Sequence, residues 1–124
     1  MSIKDVSLEK EINISCKLIK AWSKETAHPA YQNKWSLDNP SAGQCLVTAL
    51  LIQELKGGEI ASCKVGNYSH FINVINGQIE DYTSGQFKLP IKYKKISLRE
   101  RKILLENKDT LKRYELLKRR FFAF

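Results

Sequence analysis

Apolar residues recur at helical spacing in three stretches of the chain. Residues 5–24 predict a first helix that packs one stripe on the core. This stripe consists of Leu8, Ile12, Ile19 and Trp22. Residues 42–56 are apolar at nearly every position from Cys45 to Ile52, which predicts a central helix buried on most sides. Residues 109–120 predict a last helix, whose apolar stripe is Leu111, Tyr114, Leu117 and Phe121.

Strands are predicted between the central and last helices. The runs 68–75 and 78–83 flank Asn76-Gly77, a dipeptide typical of two-residue hairpin turns. Residues 59–65 predict a further short strand, and residues 86–96 predict another that Pro90 interrupts. We therefore expect an α+β fold, with helices packed on a small antiparallel sheet, and one domain over residues 1–124.

Several local details follow from capping and turn patterns. Ser41 and Gln44 predict a capping box at the start of the central helix, and Gly57-Gly58 predict its end. A second capping box, Ser97 with Glu100, predicts a helix up to about residue 106. Residues 25–40 are predicted to form a loop, and Cys16, in the middle of the first helix, is predicted to be a small buried group.

The hairpin register brings two chemically useful side chains together. With Asn76-Gly77 as the turn, Val74 pairs with Ile79 and His70 with Thr83. Side chains alternate between the two faces of a strand, so His70 and Asp81 share a face as diagonal neighbours. The apolar side chains of this face are predicted to pack on the central helix. A slip of one residue would separate His70 from Asp81.

Cys45 is predicted at the start of the central helix, where N–H groups without acceptors and the helix dipole favour an anion. A thiolate is the nucleophilic form of cysteine, and such surroundings stabilise it. With His70 as general base and Asp81 as its orienting group, the three residues make a nucleophile–base–orienter arrangement. Gln44 and backbone N–H groups at the helix start are candidate donors to an oxyanion.

Each of these residues also has a purely structural interpretation. Cys45 can be an inert core thiol, His70 a hydrogen-bonded structural histidine, and Asp81 a turn residue at a strand end. A metal site built from Cys45, His70 and Cys63 matches no common zinc spacing, so we predict neither a metal nor another cofactor.

Composition agrees with a single folded domain in a reducing compartment. The chain has 124 residues, of which 43% are hydrophobic and 27% charged, values that are ordinary for a globular protein. No apolar run reaches the roughly 18 residues that span a membrane. The N-terminus lacks signal-peptide features, and three widely spaced cysteines do not form a disulfide framework. We therefore expect a cytoplasmic protein that does not bind membranes.

The net charge of +8 lies entirely in the second half of the chain. Residues 63–124 contain fourteen Lys and Arg against six Asp and Glu, whereas residues 1–62 are balanced. This asymmetry suggests an alternative function, a non-catalytic protein that contacts nucleic acid or an acidic protein. A solvated basic helix face explains the same charges, and the sequence has no recognised nucleic-acid module. A toxin or immunity-type role is a third interpretation.

Several motifs resemble those of the bacterial YunG-like family. They are Trp35, the run Asn39-Pro40-Ser41-Ala42-Gly43-Gln44-Cys45, Ser69-His70-Phe71, and Asp81-Tyr82-Thr83 followed by Gln86-Phe87. The order of a helical cysteine, then a histidine and an aspartate on strands, is similar to that of the papain-like and transglutaminase-like superfamily.

The resemblance implies a thiol enzyme that acts on an amide or thioester, such as a peptidase, amidase, deamidase or acyl transferase. It implies Cys45 as nucleophile, His70 as base and Asp81 as orienter, with Gln86 as a supporting polar group beside the site. Trp35, on the loop before the central helix, is a further candidate for substrate support. The expected substrate is a peptide or small amide. Neither its identity nor the oligomeric state follows from the sequence.

Overall fold

The computed structural model describes residues 3–87 and 90–124, with side chains described from Glu9 onward. Four α-helices cover Ile3–Ala21 (α1), Cys45–Lys56 (α2), Arg101–Leu104 (α3) and Lys108–Phe122 (α4). Four strands cover Glu59–Val65 (β1), Tyr68–Ile75 (β2), Gln78–Glu80 (β3) and Lys94–Arg99 (β4). Short 3₁₀ turns occur at Lys24–Thr26, Pro29–Lys34 and Ser84–Gln86. The predicted α+β class is confirmed.

The strands form one antiparallel sheet in the order β3-β2-β1-β4. Pairs Val74–Ile79 and Ile75–Gln78 confirm the predicted hairpin register. Asn76 and Gly77 both have positive φ, at 52° and 75°, as a type I′ turn requires. The strand after the turn is shorter than predicted, because pairing ends at Glu80 and the chain then turns.

The sheet packs on both of its faces, which corrects one expectation. Phe71 and Ile75 contact the main core, and Nδ2 of Asn73 donates to the carbonyl of Ala49 in α2 at 2.9 Å. The alternate residues Ile72 and Val74 instead belong to a second cluster that contains Ala61, Cys63 and Tyr93. The prediction that Ile72 and Val74 pack on the central helix is therefore wrong. The segment between β3 and β4 brings Tyr93 onto this second face, where its ring packs against the cluster.

The main core lies between α1, α2, α4 and the sheet. Its fully buried members include Leu18, Val47, Leu50, Leu51, Ile52, Ile60 and Leu117. Trp22 is buried as predicted, and its indole N–H donates to the hydroxyl of Thr48 at 2.9 Å. Tyr114, Leu117 and Phe121 confirm three of the four stripe positions predicted for the last helix, whereas Leu111 is half-buried.

The stripe predicted for the first helix is wrong at two positions. Ile12 and Ile19 are 55% and 56% exposed, and from Glu9 onward the buried side chains of α1 are Ile14, Leu18 and Ala21. Ile14 follows Ile12 by two residues, which is about 200° around a helix, so the two stripes lie on opposite sides. Cys16 is exposed rather than buried for the same reason. The side chain of Leu8 lies outside those that are described.

Other local predictions fail where contacts across the fold override them. α2 begins at Cys45 without a side-chain cap from Gln44, so the predicted Ser41–Gln44 capping box is wrong. Ser97 pairs with Ser62 of β1 inside β4, and α3 begins later without a side-chain cap. The ladder of β4 with β1 therefore outweighs the local helix signal. The strand predicted at 86–96 is found at 94–99, and residues 88 and 89 of that prediction lie outside the described residues.

Within residues 3–87 and 90–124, no helix combines the length and the apolar character needed to cross a bilayer.

Candidate active site

His70 lies in β2 and directs its imidazole at Asp81, the residue that follows β3. Nε2 of His70 is 2.8 Å from Oδ2 of Asp81, and the two side chains are 1% and 4% exposed. An ionised carboxylate accepts hydrogen bonds and donates none, so Nε2 carries a proton. The other ring nitrogen, Nδ1, is left for a different partner.

The Asp81 carboxylate accepts four hydrogen bonds. Oδ2 accepts a second bond from the hydroxyl of Tyr93 at 2.8 Å, and Oδ1 accepts from the N–H and the hydroxyl of Thr83 at 3.0 and 3.1 Å. Burial raises the pKa of Asp81, but these bonds, foremost that with His70, outweigh burial and lower the pKa below its usual value. Asp81 is therefore a fixed anion beside the imidazole.

Two aromatic rings enclose the imidazole. Phe87 meets the His70 ring edge-on at a centroid distance of 4.8 Å, and Tyr93 stacks roughly parallel to it at 6.4 Å. Their packing restricts rotation of the ring and excludes water from the His70–Asp81 bond. Exclusion of water strengthens that bond, because the local dielectric is lower.

His70 is protonated at neutral pH. Burial lowers the pKa of His70, whereas the hydrogen bond with Asp81 and the interaction with Cys45 raise it, and the balance raises the pKa to about 9. The protonated ring therefore donates its Nε2–H to Asp81 and carries a second N–H at Nδ1. Among the buried side-chain nitrogen and oxygen atoms described, Nδ1 of His70 is without a hydrogen-bond partner.

Cys45 is the first residue of α2, and the backbone just before it is tightly constrained. Gly43 has a φ of +72°, and a Cβ added there would lie 2.9 Å from Cβ of Tyr31 and 3.0 Å from the backbone nitrogen of His28. The carbonyl of Gly43 accepts the N–H of His28 at 2.9 Å. This close approach fixes where α2 begins and needs a residue without a side chain.

The Cys45 thiol and the His70 imidazole line one cavity of about 330 Å³. The thiol is partly exposed, and its interaction with the imidazole contributes to the raised pKa of His70. Because Asp81 engages Nε2, Nδ1 is the ring nitrogen available to the thiol. Larger grooves elsewhere on the described surface, of about 510 and 660 Å³, do not include Cys45.

The other two cysteines provide a contrast within the same chain. Cys16 is an exposed thiol on α1. Cys63 lies opposite His70 in the sheet and is buried. Its burial, with smaller effects of Asp81 and Cys45, raises the pKa of Cys63 to about 11. Cys63 is therefore a protonated thiol near pH 7, and Cys45 is the cysteine with both an imidazole partner and a cavity.

The same chain matches the family described as YunG protein over residues 10–124. It belongs to the YunG family. A member of that family from Bacillus subtilis (strain 168), named "Uncharacterized protein YunG", is 43% identical over 93 residues. The match covers 74% of this chain and 76% of the relative. No solved structure matches the chain.

Of two residues predicted to support the site of this YunG family member, Gln86 lines the cavity and Trp35 does not. Gln86 lines the cavity, and its amide donates to the carbonyl of Thr83 at 3.1 Å. Trp35 is not among the described side chains that line the cavity, and its indole N–H donates to the carbonyl of Pro40 at 2.9 Å. Trp35 therefore stabilises the loop that leads to Gly43.

Gln44 is completely buried and has its own partners. Its Oε1 accepts the hydroxyl of Thr26 at 2.8 Å, and its Nε2 donates to the carbonyl of Ser23 at 2.9 Å. These bonds tie the start of α2 to the turn after α1. The side chain is thus engaged in the core, and its role as an oxyanion donor stays a prediction.

Sequence reasoning missed the residues that hold Asp81 and the imidazole in place. The sequence pattern places Thr83 opposite His70 and gives Tyr93 no role at the site, whereas both side chains donate hydrogen bonds to Asp81. Phe87 belongs to a sequence motif, but the motif does not indicate its contact with His70. The short spacing Asp81-x-Thr83 carries a recognisable signal, since an aspartate often accepts the N–H two residues on. Tyr93 reaches the site from a distant segment, which local patterns do not reveal.

Among the residues that the structure describes, no group of three or more His, Cys, Asp and Glu side chains is placed to hold a metal ion.

Proposed function

We propose that this YunG family member is a cysteine-nucleophile enzyme that acts on an amide or thioester bond. Cys45 is the nucleophile, His70 the acid and base, and Asp81 the group that orients His70. The proposal depends chiefly on one observation: a buried imidazole is fixed by Asp81 through Nε2, while its unpartnered Nδ1 is available beside a cavity that Cys45 lines. This arrangement is similar to that of the papain-like and transglutaminase-like superfamily.

The proposed chemical steps start from a cysteine that lines a cavity together with a protonated imidazole. The Cys45 thiolate attacks the carbonyl carbon, and a new S–C bond forms as the C–N or C–S bond of the substrate breaks. The protonated His70 gives its proton to the departing nitrogen or sulfur. Water or another acceptor then attacks the thioester, and His70 takes a proton from that nucleophile. The S–C bond breaks, and Cys45 leaves as the thiolate beside the protonated ring.

The start of α2 offers donors for the negative charge that forms on the carbonyl oxygen. The first N–H groups of a helix have no acceptor within the helix, and Gln44 provides no side-chain cap. The carbonyl oxygen of a substrate bound next to Sγ of Cys45 would face these N–H groups. Such fixed donors stabilise a tetrahedral oxyanion without reorganisation of solvent.

The alternative of a protein that binds nucleic acid has weaker support. Several cations of the basic half have structural partners within the fold. Arg101 donates to the carbonyl of Leu50 and the hydroxyl of Tyr114, and Arg120 donates to the carbonyl of Ala21. These guanidinium groups hold α3 and α4 against the rest of the protein. This alternative would be supported if the protein bound generic DNA or RNA at low salt and if added salt weakened the binding steeply.

Competition between the cysteines of one chain tests the proposal. The folded protein is treated with a small amount of iodoacetamide at pH 6.5, and the modified cysteines are counted by peptide mass spectrometry over time. We expect Cys45 to react at least about tenfold faster than the exposed thiol Cys16, because a neighbouring imidazolium favours the thiolate. Buried Cys63 is expected to stay unmodified.

His70→Ala is expected to bring the alkylation rate of Cys45 down to that of Cys16. Since His70 is buried, His70→Asn serves as a second variant that keeps a polar side chain next to Asp81 but has no protonatable ring. Cys16 is the internal reference in every sample. If Cys45 and Cys16 react at equal rates in the unaltered protein, the proposed nucleophile is wrong.

A further inference from the structure

The cavity beside Cys45 has an uneven distribution of charge. Two basic residues line it, Lys34 and Arg113, together with the protonated His70. Among the described residues that form its walls there is neither Asp nor Glu. Two carboxylates lie behind these cations without lining the cavity: Asp81 pairs with His70, and Asp109 pairs with Nε of Arg113. A negatively charged group would therefore meet positive charge inside this cavity.

Arg113 is placed to bind such a group. It belongs to α4, is 4% exposed, and still forms part of the cavity wall. Asp109 accepts its Nε at 2.8 Å, and the carbonyl of Thr26 accepts its Nη1 at 3.3 Å. For Nη2, no acceptor is found among the described residues. The guanidinium is thus held in place on one side and keeps donor capacity on another, as a planar fork that suits a carboxylate.

His28 also lines the cavity, and the charge of Arg113 affects its pKa. Burial lowers the pKa of His28, and Arg113 lowers it further. Its Nδ1 accepts the N–H of Ala30 at 3.1 Å, so the neutral ring carries its proton on Nε2. A neutral imidazole with an N–H donor adds a second hydrogen-bonding group for an anion and no competing negative charge.

The remaining walls are largely aromatic. Tyr31, Tyr68, Phe71 and Phe87 contribute side chains, and the ammonium of Lys34 lies 5.5 Å from the centroid of the Tyr31 ring. These rings offer apolar surface to the body of a ligand. The cavity lining as a whole combines aromatic side chains with the basic residues Lys34 and Arg113.

We infer that Arg113 determines substrate specificity, and that the substrate is an amide or thioester that carries a free carboxylate within reach of this arginine. The inference rests on the proposed function, because it takes Cys45 as the nucleophile in the same cavity. The carboxylate makes no bond to Cys45: it positions the carbonyl carbon for attack by Sγ and leaves the chemical step unchanged.

Matched pairs of alkylating probes test this substrate class. Bromoacetyl-glycine, bromoacetyl-β-alanine and bromoacetyl-γ-aminobutyrate each carry a carboxylate at a different distance, and the primary amide of each is its neutral control. In every case Sγ forms a bond to the CH₂ carbon and bromide leaves. The quantity measured is the acid-to-amide rate ratio at Cys45, divided by the same ratio at Cys16 of the same chain.

We expect at least one acid to give a normalised ratio of about ten, the factor that one charge-assisted hydrogen bond provides. Arg113→Gln is expected to bring that ratio close to one. Where Arg113→Gln does not fold, Arg113→Lys serves, since the shorter ammonium keeps the charge but not the fork. Lys112→Gln is the control: it also removes one positive charge from α4, but Lys112 is exposed and does not line the cavity.

The outcomes separate this inference from the proposed function. If the neutral amides react quickly at Cys45 but no acid is preferred, the carboxylate specificity is wrong and the nucleophile stands. A preference that persists in both Arg113 variants also overturns the assignment to Arg113. If even the neutral amides react no faster at Cys45 than at Cys16, the proposed function fails and this inference fails with it.

Discussion

Asp81→Asn is the change that most clearly separates a buried charged pair from an ordinary polar contact. The substitution keeps the size of the side chain but removes the negative charge that faces the protonated His70 across 2.8 Å. Both side chains are almost fully buried, so water cannot replace the lost partner. Removing one member of a buried, hydrogen-bonded charge pair typically costs about 3 to 5 kcal/mol of the free energy of unfolding. His70 can lose its proton in response, so we expect a loss of about 3 kcal/mol at pH 6.

The assay is urea unfolding followed by circular dichroism, at several pH values. Glu54→Gln is the matched control, since it neutralises a carboxylate in a surface pair with Lys118 at 2.7 Å. Exposed pairs contribute about 0 to 1 kcal/mol, so this control should change stability by no more than about 1 kcal/mol.

The pH dependence has a definite sign. The folded pKa of His70, about 9, lies above its unfolded value of about 6.5, so its stabilisation is complete below pH 6.5 and is lost as pH rises through 9. The lowered pKa of Asp81 adds stability that is lost as pH falls below about 4. The advantage of the unaltered protein over Asp81→Asn should therefore be greatest near pH 5 to 6.5. A deficit in Asp81→Asn no larger than that of Glu54→Gln would refute the reasoning.

Two further substitutions test how the site is held in place. Gly43→Ala should cost about 2 kcal/mol or more, because it adds a Cβ 2.9 Å from Cβ of Tyr31 to the strain of a positive φ. Gly66→Ala, with a φ of +59° and open space around it, should cost about 1 kcal/mol, and equal losses by thermal unfolding would contradict the steric argument. Tyr93→Phe should lower stability by about 1 kcal/mol through the lost bond to Asp81, and a loss no greater than in exposed Tyr68→Phe would contradict that.

The His70–Asp81 geometry could be predicted because local signals determine it. Asn76-Gly77 adopts a type I′ turn, which fixes the hairpin register, and the register fixes which side chains share a face. The central helix could be predicted equally well, since eight consecutive residues from Cys45 to Ile52 contain a single polar side chain, Thr48. In both cases the neighbours that decide the structure are close in sequence.

The wrong or missing predictions concern positions whose structure depends on segments distant in sequence. α1 has two apolar stripes, and its packing against α4 decides that Ile14 rather than Ile12 is buried. Ser97 carries a helix-start signal, but pairing with Ser62 places it in a strand. Arg113 reaches the cavity from α4, far along the chain from Cys45. A single sequence gives no pairing information across such separations, so these positions could not be predicted.

The proposed pairing of Cys45 with His70 is tested most directly by NMR titration of the histidine rings. The chain contains two histidines, and the pKa of His28 is lowered while that of His70 is raised, so their signals separate. In the unaltered protein His70 should titrate near pH 9, and in Cys45→Ala its midpoint should move down while His28 does not move. If His70 titrates at the same pH in both proteins, the thiol does not interact with the ring, and Cys45 has no base.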